Sequence, residues 1–550
     1  MKTLLLSSLT KVFKDKEPNF NEFTSFSSLK NEKFSFQVAV CPETKSEEKL
    51  KFSVSSPLKK YIDCYVVKNI PSSLSRYEDS DEFFFEKGRT EYPDLLFPVY
   101  DTLTLKKGEW TSLWFEYVPK KDISGKKKIT VTLEAGKNKV EKVFTLDIID
   151  EKLPEQTLLF TNWFHNDCLC TYYKVDVFSD EYWRIVKNYI KNAVEHGLTM
   201  ILTPVFTPPL DTQIGGERPT VQLVDIKKDG SKYTFGFKNF EKYVEICLEC
   251  GVKAFEISHL FTQWGAKFAP KVMAEENGEL KRIFGWETEG TGKEYTEFLT
   301  QFAKEFDKEV KKLGIKKRCF LHTSDEPGMD DIENYEKASK FLHSVFKGYR
   351  FFDALSDIEF YRSGLVDTPV PCENNADLFK PEVKNFWTYY CCGQTRTYLP
   401  NRMFAMPSQR TRILGTLLYK YEAEGFLQWG HNFWYSQYSV REIDPFTVTD
   451  AGDAFPSGDA FIVYPGEDGK PLNSLRHKVF YDGFCDMRAL QLLEKLTSRE
   501  YVLKLIEQGV DVPLNFSSYP HEQAWLLDLR SRINDEINRL ARAEPVTPYK

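Results

Sequence analysis

The chain has 550 residues, enough for two or three domains with large cores. Its formal charge is −7, with both signs mixed and no basic stripe or Lys/Arg tail, which argues against a nucleic-acid partner. Aromatic residues make up 15% of the chain; most belong in cores, and sugar-binding clefts also use aromatic faces.

Cysteine usage and hydropathy narrow the class further. The 11 cysteines are an odd number without disulfide-scaffold spacing. Cys247 and Cys250 form a single C-x-x-C near a helix end, with no second pair to complete a zinc site. Reduced thiols in a cytoplasmic setting are the expectation. Leu4-Leu5-Leu6 is too short for a signal peptide and is soon followed by Lys11, Lys14 and Lys16. No stretch approaches membrane-spanning length, so no membrane insertion is expected. The oligomeric state stays open.

Residues 1–152 read as an antiparallel β-sandwich. Lys33–Val40, Tyr61–Val67, Trp110–Val118, Lys128–Leu133 and Val143–Ile149 alternate or carry β-branched and aromatic residues, and charged turns separate them. Leu153-Pro154-Glu155 marks a boundary. Beyond it, strands alternate with helices over residues 153–472.

The strands are Thr157–His165, Met200–Phe206, Lys253–Ser258, a run ending at Asp325-Glu326, Tyr349–Leu355, Thr368–Cys372, Phe386–Cys391 and Gly425–Trp429. Helices start at Asp180, Phe240, Lys293 and Ser408, and a hairpin turns at Asp229-Gly230. Eight such repeats define a (β/α)8 TIM barrel. A doubly wound sheet is the alternative, but the chain has neither G-x-G-x-x-G nor G-x-x-x-x-G-K-[ST]. A loop from Gly430 to Pro471 follows the last strand. Residues 473–550 read as C-terminal helices, expected to pack on the barrel.

The stretch Arg318–Gly328 carries the chemistry. Cys319-Phe320-Leu321 is a short buried strand, Pro327 and Gly328 stop it, and a helix opens near Asp330 and Asp331. Asp325 and Glu326 therefore stand at a strand's C-terminal end, the catalytic rim of a barrel. The plain alternative makes Asp325 a helix cap and leaves Glu326 solvated. Adjacent carboxylates oppose each other's ionisation, so one stays charged and one protonated near neutral pH, a division that suits general acid catalysis.

The same rim gathers other candidates from the strand ends: Trp163, His165 and Asn166; His259, with Trp264 and Trp286 in its loop; Glu373 and Asn374; Trp387, Tyr389 and Tyr390; and Trp429, His431, Asn432 and Trp434. Singly, a Trp or His is more often core than ligand. Together they describe apolar walls with a few placed polar groups. No H-E-x-x-H or comparable ligand pair calls for a metal, and no cofactor is implied.

Consecutive acids, with Cα atoms about 3.8 Å apart, flank a glycosidic bond awkwardly in a two-carboxylate retaining mechanism. They fit better where a 2-acetamido group supplies the nucleophile. Asp325 would orient the acetamido N–H, Glu326 would protonate the leaving oxygen, and Tyr390 would donate to the acetamido oxygen.

These residues resemble glycoside hydrolase family 123, the β-N-acetylgalactosaminidases. The resemblance runs through Tyr92-Pro-Asp-Leu-Leu96, Leu113–Pro119, Thr323-Ser-Asp-Glu-Pro327, Phe386–Cys392, Arg412-Ile-Leu-Gly415 and Gly425–Trp434. It implies a β-sandwich before a (β/α)8 barrel, retaining substrate-assisted hydrolysis, and Asp325 and Glu326 as the catalytic pair. It also implies a glycan substrate with terminal β-linked N-acetylgalactosamine (GalNAc), as on glycosphingolipids. A β-N-acetylglucosaminidase would share the acetamido machinery, and a non-catalytic glycan-binding protein would share the aromatic rim.

Overall fold

The computed structural model describes residues 1–19, 21–43 and 47–542. The chain forms two compact units, one made of residues 1–156, 395–420 and the segment from 472 onward, the other of 157–394 and 421–471.

In the first unit, two five-stranded sheets face each other. One orders Lys2–Ser7, Phe34–Cys41, Thr111–Tyr117, Ile62–Pro71 and Glu91–Pro98. The other orders Ser25–Lys30, Asn138–Lys152, Gly125–Ala135, Glu47–Ser55 and Thr102–Lys106. Their pairings are antiparallel apart from Ser25–Lys30, which lies parallel to Asn138–Lys152. Alternation sends Phe36, Val38, Leu113, Phe115, Phe52, Val131 and Phe144 into one shared core, where Phe36 and Phe144 stack with centroids 4.6 Å apart.

Three helices, Leu475–Leu496, Arg499–Ile506 and Gln523–Arg542, belong to this unit. Compactness thus groups 395–420 and the C-terminal helices with the sandwich, a different division from the expected 1–152, 153–472 and 473–550. The reason is packing. Leu475–Leu496 crosses Leu414–Lys420 so closely that a Cβ on Gly415 would meet the Gly483 carbonyl at 1.7 Å. Gln523–Arg542 lies on the Ser25–Lys30 edge, where buried Arg530 reaches Glu32 at 2.7 Å and Asp486 at 2.9 Å.

The second unit is a parallel eight-stranded barrel. In chain order its strands are Leu159–Asn162, Met200–Thr203, Ala254–Ile257, Cys319–Leu321, Arg350–Ala354, Thr368–Val370, Trp387–Tyr389 and Gly425–Gln428. Spatially they run six, five, four, three, two, one, eight, seven. A parallel bridge between Cys372 and Tyr389 joins the two ends of that series. Met200, Leu202, Ala254, Phe320, Phe352, Val370, Trp387 and Leu427 fill the interior.

The helix Asp180–Glu195 starts where the Ser179 hydroxyl accepts from the Tyr182 N–H at 3.2 Å, and it is followed by Gly197 at φ 99°. Two features were not read from the sequence: a short helix, Asn166–Tyr173, directly after strand one, and a four-stranded sheet built on the expected Asp229-Gly230 hairpin with Val272–Glu276 and Glu279–Phe284. Among the described residues, no helix is long and apolar enough to cross a membrane.

Candidate active site

Strand four ends earlier than expected, at Leu321, and the buried residues His322, Thr323 and Ser324 carry the chain to Asp325. A continued pleat would point Asp325 and Glu326 to opposite faces. Glu326 instead takes a left-handed backbone, φ 43°, which costs a non-glycine residue energy and persists only where its surroundings impose it. Two hydrogen bonds impose it here. The Trp264 N–H donates to the Asp325 carbonyl at 2.8 Å, and the Glu326 N–H donates to the Ala354 carbonyl at 3.0 Å.

Both carboxyls consequently line one cavity of about 170 Å³. That is below the roughly 300 Å³ lower end of sites for drug-sized ligands, and suits a single sugar ring. Trp163, Leu427 and Trp429 wall it with Tyr389, Cys391 and Cys392, and the rim loops add Asp211, Gln263, Trp264, Gln437, Tyr438 and Phe455.

Burial, and next to it the Glu326 charge, push the Asp325 carboxyl well above the usual range. Glu326 opens to the cavity, yet protein encloses it on most other sides, and that enclosure raises its carboxyl too. The Tyr389 hydroxyl donates to Glu326 and works in the opposite direction.

Under the cavity lies a buried polar network. Glu256 accepts from Trp163 Nε1 at 2.6 Å, from His322 Nε2 at 2.6 Å and from the Thr161 hydroxyl. Asp353 accepts from His322 Nδ1 at 2.9 Å, from the Tyr335 hydroxyl at 2.6 Å and from the Thr323 N–H at 3.1 Å. Burial alone would discharge His322, but its hydrogen bonds to Asp353 and Glu256 outweigh that and raise it to about 9. This imidazolium holds down the Asp325 carboxyl, and Glu256 fixes the Trp163 ring.

Donor atoms of His259, His322 and Asp353 lie within 4.8 Å of one another, the spacing of a metal site. An imidazolium engaged through both nitrogens has no lone pair to give, so a metal would fit only after His322 lost a proton and two partners. His259 stacks on His322 at 3.9 Å, and neither of its ring nitrogens finds a protein hydrogen bond among the described residues.

Of the residues expected at the site, Asp325, Glu326, Trp163, Trp264, Tyr389 and Trp429 meet at the cavity. The others do not line it. The pleat turns Tyr390 outward against Phe426, with centroids 5.0 Å apart, and places its neighbour Tyr389 inside. His165 and Asn432 clamp each other through their backbone and amide groups at 2.9 and 3.0 Å. Burial, with Arg218 beside it, pushes His165 down to about 3. Asn166 opens the short helix after strand one, and His431 packs on Phe164. Trp434 is buried against Tyr172 and Tyr189. Trp286 donates to the Gly216 carbonyl at 3.0 Å. Glu373 is buried, and Asn374 accepts from Gln394 at 3.4 Å. His259 belongs to the network below.

Two carboxyls at the C-terminal end of a (β/α)8 barrel, facing an aromatic pocket of one-ring size, define a glycosidase-type site. Residues 163–493 match the model of the glycoside hydrolase 123 catalytic domain, and the chain belongs to that family. A family 123 glycoside hydrolase from Clostridium perfringens, whose structure is described as showing the details of glycolipid glycan hydrolysis, is similar over 98% of both chains, with TM-score 0.74 and 14% identity. A Bacteroides uniformis beta-glucuronidase (TM-score 0.30, 12% identity, 82% of this chain and 50% of that one) is more distant. So is a putative beta-galactosidase from Bacteroides fragilis (TM-score 0.33, 7% identity, 86% and 60%). No curated protein matches the chain.

Proposed function

We propose that this chain is a retaining exo-β-N-acetylgalactosaminidase in which the substrate's acetamido group is the nucleophile. The observation that carries the reading is the pair Asp325 and Glu326, turned into one small cavity beside the Tyr389 hydroxyl. The acetamido carbonyl oxygen attacks C1, the glycosidic bond breaks, and Glu326 gives its proton to the leaving oxygen. Glu326, now a carboxylate, takes a proton from the water that opens the oxazolinium at C1. Two inversions leave the anomeric configuration retained.

Asp325 accepts from the acetamido N–H and balances the positive charge. An N–H donor on Asp325, together with His322 below, lowers the Asp325 carboxyl, the direction that puts charge on Asp325 and leaves the proton on Glu326. The acetamido donor expected of Tyr390 is here Tyr389. Its hydroxyl leaves Glu326 for the acetamido oxygen when substrate binds, which removes the interaction that holds the Glu326 carboxyl down.

The glycolipid glycans named for the Clostridium perfringens enzyme support a glycolipid glycan as the substrate class, and terminal β-GalNAc on such a glycan is the proposed target. Aryl β-GalNAc and aryl β-N-acetylglucosamine (β-GlcNAc) glycosides test the reading, with the first-formed anomer observed by NMR and an oxazolinium-mimicking thiazoline as inhibitor. Turnover of GalNAc with a β-anomer product is expected. A first-formed α-anomer, or indifference to the thiazoline, would sink it.

A further inference from the structure

Asp211 was not singled out by the sequence. It follows strand two on a rim loop and lines the cavity. Its backbone is left-handed, φ 40°, and nearly every polar atom around it is engaged. The Asp211 N–H donates to Gln263 Oε1 at 2.7 Å. Its carbonyl accepts from the Ser439 hydroxyl at 2.7 Å, and its Oδ2 accepts from the Tyr438 N–H at 3.1 Å. One residue earlier, the Leu210 carbonyl accepts from Arg218 at 3.1 Å, and Arg218 is locked to Asp167 by a buried pair of bonds at 2.8 and 2.7 Å. Loops after strands two, three and eight therefore meet on Asp211. Among the described residues no donor reaches Oδ1. A carboxylate held this firmly, with one oxygen unused on a cavity wall, is built to accept from a ligand. Burial raises it to about 6, so at neutral pH it is largely ionised and able to accept.

Its position around the barrel indicates which ligand atoms it meets. Strand seven, which carries Tyr389, lies three strands away from strand two, by way of strands one and eight. If Tyr389 takes the acetamido arm at C2, the ring edge carrying C4, C5 and C6 faces the strand-two side. In the galacto configuration the axial 4-OH stands off the ring plane, and one carboxylate oxygen on that side can accept from it and from the 6-OH. In the gluco configuration the equatorial 4-OH lies near the ring plane, displaced from that position.

We propose that Asp211 is a specificity-determining residue that accepts from the 4-OH and 6-OH of the terminal sugar and so favours the galacto epimer. This rests on the N-acetylhexosaminidase reading above. A site built to hydrogen-bond a hydroxyl discriminates strongly against a sugar that cannot supply it there.

The test compares kcat/KM on aryl β-GalNAc and aryl β-GlcNAc for wild type, Asp211→Asn and Asp211→Glu. In D211N the amide oxygen still accepts from the Tyr438 N–H, while the NH2 that replaces Oδ1 cannot accept. The GalNAc:GlcNAc ratio is expected to fall about tenfold or more in D211N, the loss of one hydrogen bond to a charged group. D211E keeps the charge but misplaces it, and is expected to move the ratio the same way. A wild type active on these sugars whose ratio survives both substitutions overturns the role of Asp211 alone. A wild type inactive on both epimers overturns the parent reading, and this one with it.

Discussion

Beneath the cavity, Glu256, His322 and Asp353 are fully buried and answer one another's hydrogen bonds. Above it, Asp211, Trp264, Glu326 and Tyr438 hold left-handed backbones at φ 40°, 60°, 43° and 59° and face the opening. The floor concentrates charge and compensates it; the rim concentrates backbone strain and ties it down with hydrogen bonds. A floor of that kind resists change and sets the electrostatics of Asp325, whereas a rim of that kind presents side chains in directions that a regular strand end would not allow.

The largest expected effect falls where the two regions meet. Glu326→Gln removes the proton donor of the proposed mechanism and should lower kcat by about 10²- to 10⁴-fold on an alkyl glycoside, the usual contribution of a positioned acid. The loss should be much smaller on a dinitrophenyl glycoside, which leaves without help. Equal losses on both substrates would show that Glu326 is not the acid.

On the floor, His322→Leu leaves two buried carboxylates without their shared cation. Breaking such a pair costs about 3–5 kcal/mol, read as a lower denaturation midpoint. The pH dependence of the wild type carries a second signature. His322 is raised to about 9 in the folded chain against an ordinary 6.5, so folding binds its proton more tightly. Its stabilisation is complete below 6.5 and is lost as pH rises through about 9. Unfolding midpoints measured between those limits should fall with pH in wild type and flatten in the variant. A variant with the wild-type slope would remove His322 as the source.

The eight strands were legible because each is a short apolar run bounded by helical periodicity, and the order of runs forces the barrel. Asp325 and Glu326 were legible because Pro327 and Gly328 bar a strand from continuing past them, although strand four stops earlier, at Leu321. Tyr389 and Tyr390 show where the reading ends. Both sit at the end of strand seven, and which of them faces inward depends on a one-residue register that neighbouring strands decide. Trp434 and His431 are aromatic and near the rim in sequence, but the loop that carries them folds back into packed surroundings. Asp211 and Tyr438 were not found because left-handed non-glycine backbone leaves no mark in composition or period. The floor was invisible too, since Glu256 and Asp353 lie within largely apolar strands, His322 directly follows a third, and their meeting requires the closed barrel.

Tyr389→Phe sits between these extremes. It removes one hydrogen bond to a charged or developing charge, about 1.5–3 kcal/mol, hence about 10- to 150-fold in kcat/KM. Because the hydroxyl also holds the Glu326 carboxyl down in the free enzyme, its loss should move the limb of the kcat/KM profile assigned to Glu326 to higher pH. A drop in rate with an unmoved limb would keep Tyr389 as an acetamido donor and remove it as a partner of Glu326.

The smallest effect is expected from Ser439→Ala, which cuts the hydroxyl's bond to the Asp211 carbonyl and leaves the Asp211 carboxylate untouched. A neutral hydrogen bond of this kind is worth about 0.5–1.5 kcal/mol. If the rim is held as a set of independent ties, the change stays local: KM rises a few-fold, kcat holds, and the unfolding midpoint barely moves. Hydrogen exchange at the amides of Gln213 and Tyr438, which bond to Tyr438 and Asp211 respectively, should quicken by a similar small factor. A fall in kcat as large as that of Tyr389→Phe would mean that strain at Asp211 and strain at Glu326 are coupled through the loop carrying Trp264. Gln263 joins Asp211 to that loop, and the Trp264 N–H joins the loop to Asp325, so the physical route for such coupling exists.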